Sequence, residues 1–111
     1  MTAKFEISSR SNGEFQFNLK AGNGQVILSS EGYSSLQACQ MGVESVRMHS
    51  VDPTHFECKT AKDGSPYFSV KAKNGQSIGI SEMYSSISAR DNGIQSVMTN
   101  ASCAEVVNLI A

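Results

Sequence analysis

Ser30-Glu31-Gly32-Tyr33-Ser34-Ser35 returns fifty-one residues later as Ser81-Glu82-Met83-Tyr84-Ser85-Ser86. The match extends in both directions without a gap. Phe5 to Ser50 aligns with Phe56 to Ala101, and 19 of the 46 paired positions are identical. A repeat this regular fixes an architecture rather than an activity. Each copy is too short to bury a sufficient core alone, whereas 111 residues are enough for one domain. No Pro/Ser-rich linker divides the copies; the joint Ser50-Val51-Asp52-Pro53-Thr54 is too short for a free tether. The expectation is a single domain over residues 1–111, with repeat one at about 4–54 and repeat two at about 55–111.

Each copy opens with a short alternating run, Phe5-Glu6-Ile7-Ser8 and Phe56-Glu57-Cys58-Lys59. A second run follows: Phe15 to Ala21, and Tyr67 to Ala72. Period-two alternation predicts half-buried strands. Phe15, Phe17, Leu19 and Ala21 share one face, as do Phe68, Val70 and Ala72. Asn12-Gly13 and Asp63-Gly64 separate the first strand from the second; Asn23-Gly24 and Asn74-Gly75 separate the second from the third. These dipeptides suit type I′ turns, in which both central residues take positive φ. With third strands at Gln25 to Ser30 and Gln76 to Ser81, each copy reads as a three-stranded antiparallel meander.

Then the period changes. Leu36, Val43 and Val46, with Cys39 between them, fall at helical spacing, and Ile87, Ile94 and Val97 repeat the pattern around Arg90. Ser34 followed by Gln37 predicts a capping box that starts the first helix; Ser85 and Ser88 leave the second box incomplete. Asn92-Gly93 resembles a turn but aligns with Met41-Gly42 inside a helix. Gly42 and Gly93 belong to small-residue stripes, Ala38-Gly42-Ser45 and Ala89-Gly93-Ser96, which predict a close approach of the helix backbone to the sheet or the twin helix. A last run, Glu105 to Ile110, predicts a strand after the second helix. The fold class expected is α+β: an antiparallel sheet of about seven strands, two helices on one face, pseudo-twofold symmetric.

The net charge of −1 lacks the footprint of a general nucleic-acid binder. Met1-Thr2-Ala3-Lys4-Phe5-Glu6 has no apolar run and so no secretory signal. No stretch reaches the ~18 apolar residues of a membrane span. Three cysteines without paired spacing fit a reducing compartment. A cytoplasmic location is expected.

The tandem motif Asn-Gly-Gln, Ser-Glu-x-Tyr-Ser-Ser and a Ser-Val pair resembles the YegP-like family of small bacterial proteins. Here it reads Asn23-Gly24-Gln25, Ser30 to Ser35 and Ser45-Val46, then Asn74-Gly75-Gln76, Ser81 to Ser86 and Ser96-Val97. The resemblance covers nearly the whole chain and is specific because it occurs twice in register. It implies two β-β-β-α-β units sharing one sheet with their C-terminal strands exchanged. It also implies a monomer, since two repeats replace the dimer of single-copy members. The family carries no assigned activity, so no catalytic residues transfer.

Among the residues themselves, the recurring motif is the best site candidate. Glu31, Tyr33 and Ser34, with Glu82, Tyr84 and Ser85, would form two equivalent polar pockets at helix N-termini, where free N–H groups suit anions. In the simpler reading Ser caps the helix, Glu answers the dipole, and Tyr packs its ring on the core. On the outer sheet face stand Gln16, Asn18, Lys20, Tyr67, Ser69 and Lys71, joined by Lys73; this face suits a peptide, a subunit or single-stranded nucleic acid, but stacking wants more aromatics than Tyr67. Lys59, Lys62, Lys71 and Lys73 concentrate positive charge in copy two. His49, His55 and Cys58 match no zinc spacing, so no metal and no cofactor are expected. Cys39 and Cys58 read as buried small hydrophobes and Cys103 as exposed. No nucleophile elbow and no phosphate-cradling loop appear. The leading reading is a non-catalytic binding or interaction module. The alternatives are a small-molecule (anion) or enzymatic site at the helix starts, and weak single-strand binding by the outer sheet face.

Overall fold

A computed structural model describes residues 3–110. Three strands, β1 (Lys4–Ser9), β2 (Phe15–Lys20) and β3 (Val26–Ser29), lead into α1 (Leu36–His49). A 3₁₀ turn at Pro53–His55 precedes β4 (Phe56–Thr60), β5 (Pro66–Lys71) and β6 (Ser77–Ile80). Then come α2 (Ile87–Asn100), a second 3₁₀ turn at Ala101–Cys103 and β7 (Glu105–Asn108). One seven-stranded sheet runs across both copies in the order β4-β5-β6-β3-β2-β1-β7. The meanders meet at β3 and β6, which pair antiparallel through Ser29 and Ile80.

The four hairpin turns lie where the Asn-Gly and Asp-Gly signals put them, but they are not type I′. Among the described residues only glycines take positive φ; Gly13, Gly24, Gly64 and Gly75 lie between 83° and 88°. Gly13 N donates to Arg10 O (3.0 Å) and Arg10 N to Glu14 O (2.7 Å), and the other three turns repeat this pattern. Each is a three-residue loop: a type I turn closed by a left-handed glycine. The Asn or Asp before the glycine stays at negative φ because its side chain has another task. Asn12, Asn23, Asp63 and Asn74 each accept from the backbone N–H two residues on, at 2.9–3.0 Å.

The helices begin one residue later than the capping boxes predicted. Ser35 and Ser86 are the N-caps, accepting from Ala38 N (3.1 Å) and Ala89 N (3.0 Å). The third helical position is therefore alanine in both, and no reciprocal box forms. Both helices lie over the face carrying Phe5, Ile7, Phe17, Leu19, Leu28, Phe68 and Val70, which form one cluster with Cys39, Val43, Val46 and Val97. Ile87, at the apolar spacing of α2, is 62% exposed, while its counterpart Leu36 packs on the core.

The strands after the helices exchange. β4 follows α1 and pairs with β5 of copy two; β7 follows α2 and pairs with β1 of copy one. The second pairing is parallel, so the sheet is not wholly antiparallel. The cause is the route: after α2 the chain enters beside Ala3, whose carbonyl accepts from Glu105 N at 3.2 Å, and runs the same way as β1. Among the described residues no strand lies beyond β4, the counterpart of β1. Burial follows this asymmetry. Phe5 and Ile7 are fully buried, whereas their equivalents Phe56 and Cys58 are half-buried and exposed. Cys58 does share the inward face, opposite Phe68, but an edge strand lies beyond the helices' cover, so its reading as a buried hydrophobe is corrected.

Candidate functional site

The Ser-Glu-x-Tyr-Ser-Ser motif folds alike in both copies, apart from one backbone bond at the tyrosine. Ser30 and Ser81 are buried at the ends of the third strands. Ser30 Oγ accepts from Phe17 N (2.9 Å) and donates to Glu31 O (2.8 Å); Ser81 Oγ does the same for Phe68 N (3.0 Å) and Glu82 O (2.8 Å). Each hydroxyl thus staples the second strand to the link before the helix. Sequence reading passed over this role; its signal was a serine repeated just where the alternation stops.

Tyr33 stacks on Phe17 and Tyr84 on Phe68, with ring centroids 6.3 and 6.2 Å apart. The hydroxyl end of each tyrosine ring meets a helical glycine, beside the stacked phenylalanine. A Cβ on Gly42 would sit 2.7 Å from Tyr33 Cζ and 3.1 Å from Phe17 Cε2; one on Gly93 would sit 2.6 Å from Tyr84 Cζ. The small-residue stripe does mark a close approach, and what approaches is the tyrosine of the same copy. Burial pushes both phenols above their usual range, with smaller contributions from Cys39 and Glu31 at Tyr33 and from Glu82 at Tyr84. The tyrosine backbones are anchored too. Tyr33 exchanges two hydrogen bonds with Phe15 (2.7 and 2.8 Å), but Tyr84 makes one, to Pro66 O (2.8 Å), because proline has no N–H to return. Glu31, Glu82, Ser34 and Ser85 are exposed.

Concavities lie at the seam between the copies and on α1. One of about 210 Å³ opens at the seam between copies, where Ala21, Asn23 and Gln25 of the β2–β3 hairpin face Glu82, Tyr84 and Ser96. The other, of about 400 Å³, is a groove along the outer side of α1, lined by Gln37, Gln40, Met41, Glu44, Met48 and His49. Met41 and Met48 are 66% and 70% exposed. The aligned positions of α2 hold Asn92 and Thr99. That difference was readable in the alignment.

The outer sheet face carries Gln16, Asn18, Lys20, Tyr67 and Lys71 half-exposed, but Ser69 is buried there, between Glu57 and Ile80 in the ladder. Lys20, Lys59 and Lys71 on this face are matched by carboxylates. Lys71 Nζ lies 2.6 Å and Lys59 Nζ 3.3 Å from Glu57, and Lys20 Nζ lies 2.8 Å from Glu6. The hydrogen bonds and charges of Lys71 and Lys59 hold the Glu57 carboxyl below the usual range. Gln16 Oε1 accepts from Arg10 Nε at 2.7 Å.

His49 and His55 come together with ring centroids 4.7 Å apart. Each Nδ1 is directed to a backbone carbonyl, Ser45 O and Lys71 O respectively, both at 2.8 Å. In α2 the same carbonyl position, Ser96 O, accepts from Asn100 Nδ2 at 2.7 Å, so His49 fills a helix-end role that recurs. Cys39 is buried, and burial raises its thiol pKa, which disfavours the nucleophilic thiolate. Cys103 is exposed, as expected.

The model of the family described as Domain of unknown function (DUF1508) matches twice, over residues 11–57 and 61–108. Each match ends in the strand that follows its helix and pairs outside its own match. A UPF0339 protein of Bordetella pertussis is 54% identical, covering 86% of this chain and 86% of its own. The solution structure of UPF0339 protein SO3888 from Shewanella oneidensis superposes with a TM-score of 0.93 at 46% identity, over 99% of this chain and 93% of that one. The solution structure of yegP from E. coli, a protein of unknown function, gives a TM-score of 0.94 at 42% identity, over 100% of this chain and 96% of that one. With its two matching units, its paired motifs and its exchanged strands, the chain belongs to the DUF1508 family and stands among the YegP-like UPF0339 proteins.

Proposed function

We propose that the protein is a non-catalytic, cytoplasmic interaction module that docks a partner protein on the outer side of α1. The observation that carries this reading is the exposure of Met41 and Met48 along one groove, where the twin helix has Asn92 and Thr99. Two unbranched thioether side chains give an adaptable apolar contact. The duplicated fold has no use for them, because α2 does without. The three free cysteines support the cytoplasm as its place. The test exchanges Met41→Asn and Met48→Thr, residues the same fold already accepts in α2. A partner held by the wild type and lost by the variant, with thermal unfolding unchanged, supports docking on α1. Equal capture by both, or no capture by either, overturns it.

A second reading rests on the seam cleft beside Glu82 and Tyr84. At about 210 Å³ it falls below the ~300 Å³ from which drug-sized sites begin. The exposed Glu82 carboxylate at its rim favours a small amine over an anion. Amine titrations followed by the Glu82 and Tyr84 NMR signals test it; signals that stay still at millimolar amine rule it out.

A further inference from the structure

The open edge of β4 carries a self-complementary pattern. Ala61 N donates to Ser65 O at 2.8 Å, so the amide of Ala61 faces β5. Main-chain groups alternate along an antiparallel strand. Those of Glu57 and Lys59 therefore also face β5, and those of Phe56, Cys58 and Thr60 face the empty side. β1 shows the same alternation with its edge filled: Arg10 N donates to Glu14 O (2.7 Å) on one side, while Ala3 O and Ile7 O accept from Glu105 N and Leu109 N (3.2 and 2.9 Å) on the other. The β4·β5 register has no bulge, and no proline interrupts Phe56–Thr60. These devices would otherwise blunt an edge.

We propose that a second copy of this chain pairs on β4, antiparallel to it, about a two-fold axis through Cys58. This register sets Phe56 opposite Thr60 of the other copy and Cys58 opposite its twin. Every residue so paired has its main-chain groups turned outward, so the ladder closes fully. On the outer face the same register brings Glu57 opposite Lys59 of the other copy, and Lys59 opposite Glu57. Opposite charges placed so attract. Centring on Glu57 or on Lys59 instead sets like charge against like. Centring between residues sets an outward-facing amide against an inward-facing one. Only the register centred on Cys58 pairs all five residues of β4 while satisfying both the hydrogen bonds and the charges. The two-fold pairing also uses the same edge on both copies and closes, whereas joining β4 to the β7 edge of another copy leaves edges free and propagates. Neither α1 nor the seam cleft takes part, so this assembly is independent of the function proposed above.

A strand pair alone is a small interface, and the dimer is accordingly weak. Sedimentation of the full chain under reducing conditions, over a concentration series, is expected to show the average mass rising from one chain toward two. Glu57→Lys or Lys59→Glu alone should weaken association by about tenfold. Together they should restore it, since the exchanged pair is again complementary. Cys58→Pro removes an amide that bonds nothing within one copy, so it should abolish the dimer and leave the circular dichroism spectrum intact. A mass fixed at one chain at every concentration overturns the proposal. So does association that survives Cys58→Pro, which would place the contact on another surface.

Discussion

Gly42 and Gly93 sit in mid-helix, where exposed glycine costs ~1 kcal/mol against alanine. Here the sign reverses, because the Tyr33 and Tyr84 rings occupy the space of the missing Cβ. Gly42→Ala should destabilise by about 1–3 kcal/mol, and urea unfolding measures it; a gain would mean the tyrosine ring moves freely. For the same reason Tyr33→Ala with Tyr84→Ala would test folding before binding. Asp63 makes a pH prediction. The Ser65 backbone N–H, then its side chain, hold the Asp63 carboxyl below its usual range. A depressed carboxyl contributes stability above its unfolded pKa of about 3.9 and loses it as pH falls through the folded value. Asp63→Asn keeps the acceptor that Asn12, Asn23 and Asn74 already provide, without the titration. Its Tm should therefore drop less than that of the wild type between about pH 5 and pH 2; parallel profiles would deny the turn any part in acid sensitivity.

At the scale of elements, Ser35→Ala and Ser86→Ala should each cost about 1 kcal/mol, and Ser34→Ala and Ser85→Ala close to nothing. Equal losses in the two pairs would return the cap to the earlier serine. The sequence located the seven strands, the four hairpin turns and the two α-helices, but it missed the 3₁₀ turns at Pro53–His55 and Ala101–Cys103 and misread which serine caps and which turn type closes the hairpins. Each misreading has its own origin. Tyr33 is held to Phe15 by backbone bonds, which keeps the chain extended one residue longer, and adjacent serines carry no mark of that. In the hairpins, Asn-Gly alone cannot separate a two-residue loop from a three-residue one, since both need a glycine at positive φ. The tyrosine–glycine contact was half legible: the stripe of small residues was plain, the identity of what lies against it was not. The groove on α1 was legible only as a difference between copies.

On the scale of the whole molecule, one sheet with one added strand explains why equal sequences are unequally buried. It also places β3 beside β6, where Leu28 and its repeat counterpart Gly79 meet. Leu28 is fully buried, and a Cβ on Gly79 would lie 2.7 Å from a Leu28 methyl carbon. Leu28→Ala should cost about 3 kcal/mol. Leu28→Gly with Gly79→Leu should cost less than the two single changes summed; strict additivity would mean that the positions do not share a space. The joint has a further consequence for descent and assembly. Two identical halves meeting here would bring leucine against leucine, too much for the space, or glycine against glycine, a void. Once fused, the halves were free to become lock and key. Each now recognises its sibling better than it recognises itself, so the duplication cannot be undone into a pair of like subunits without repairing this one position.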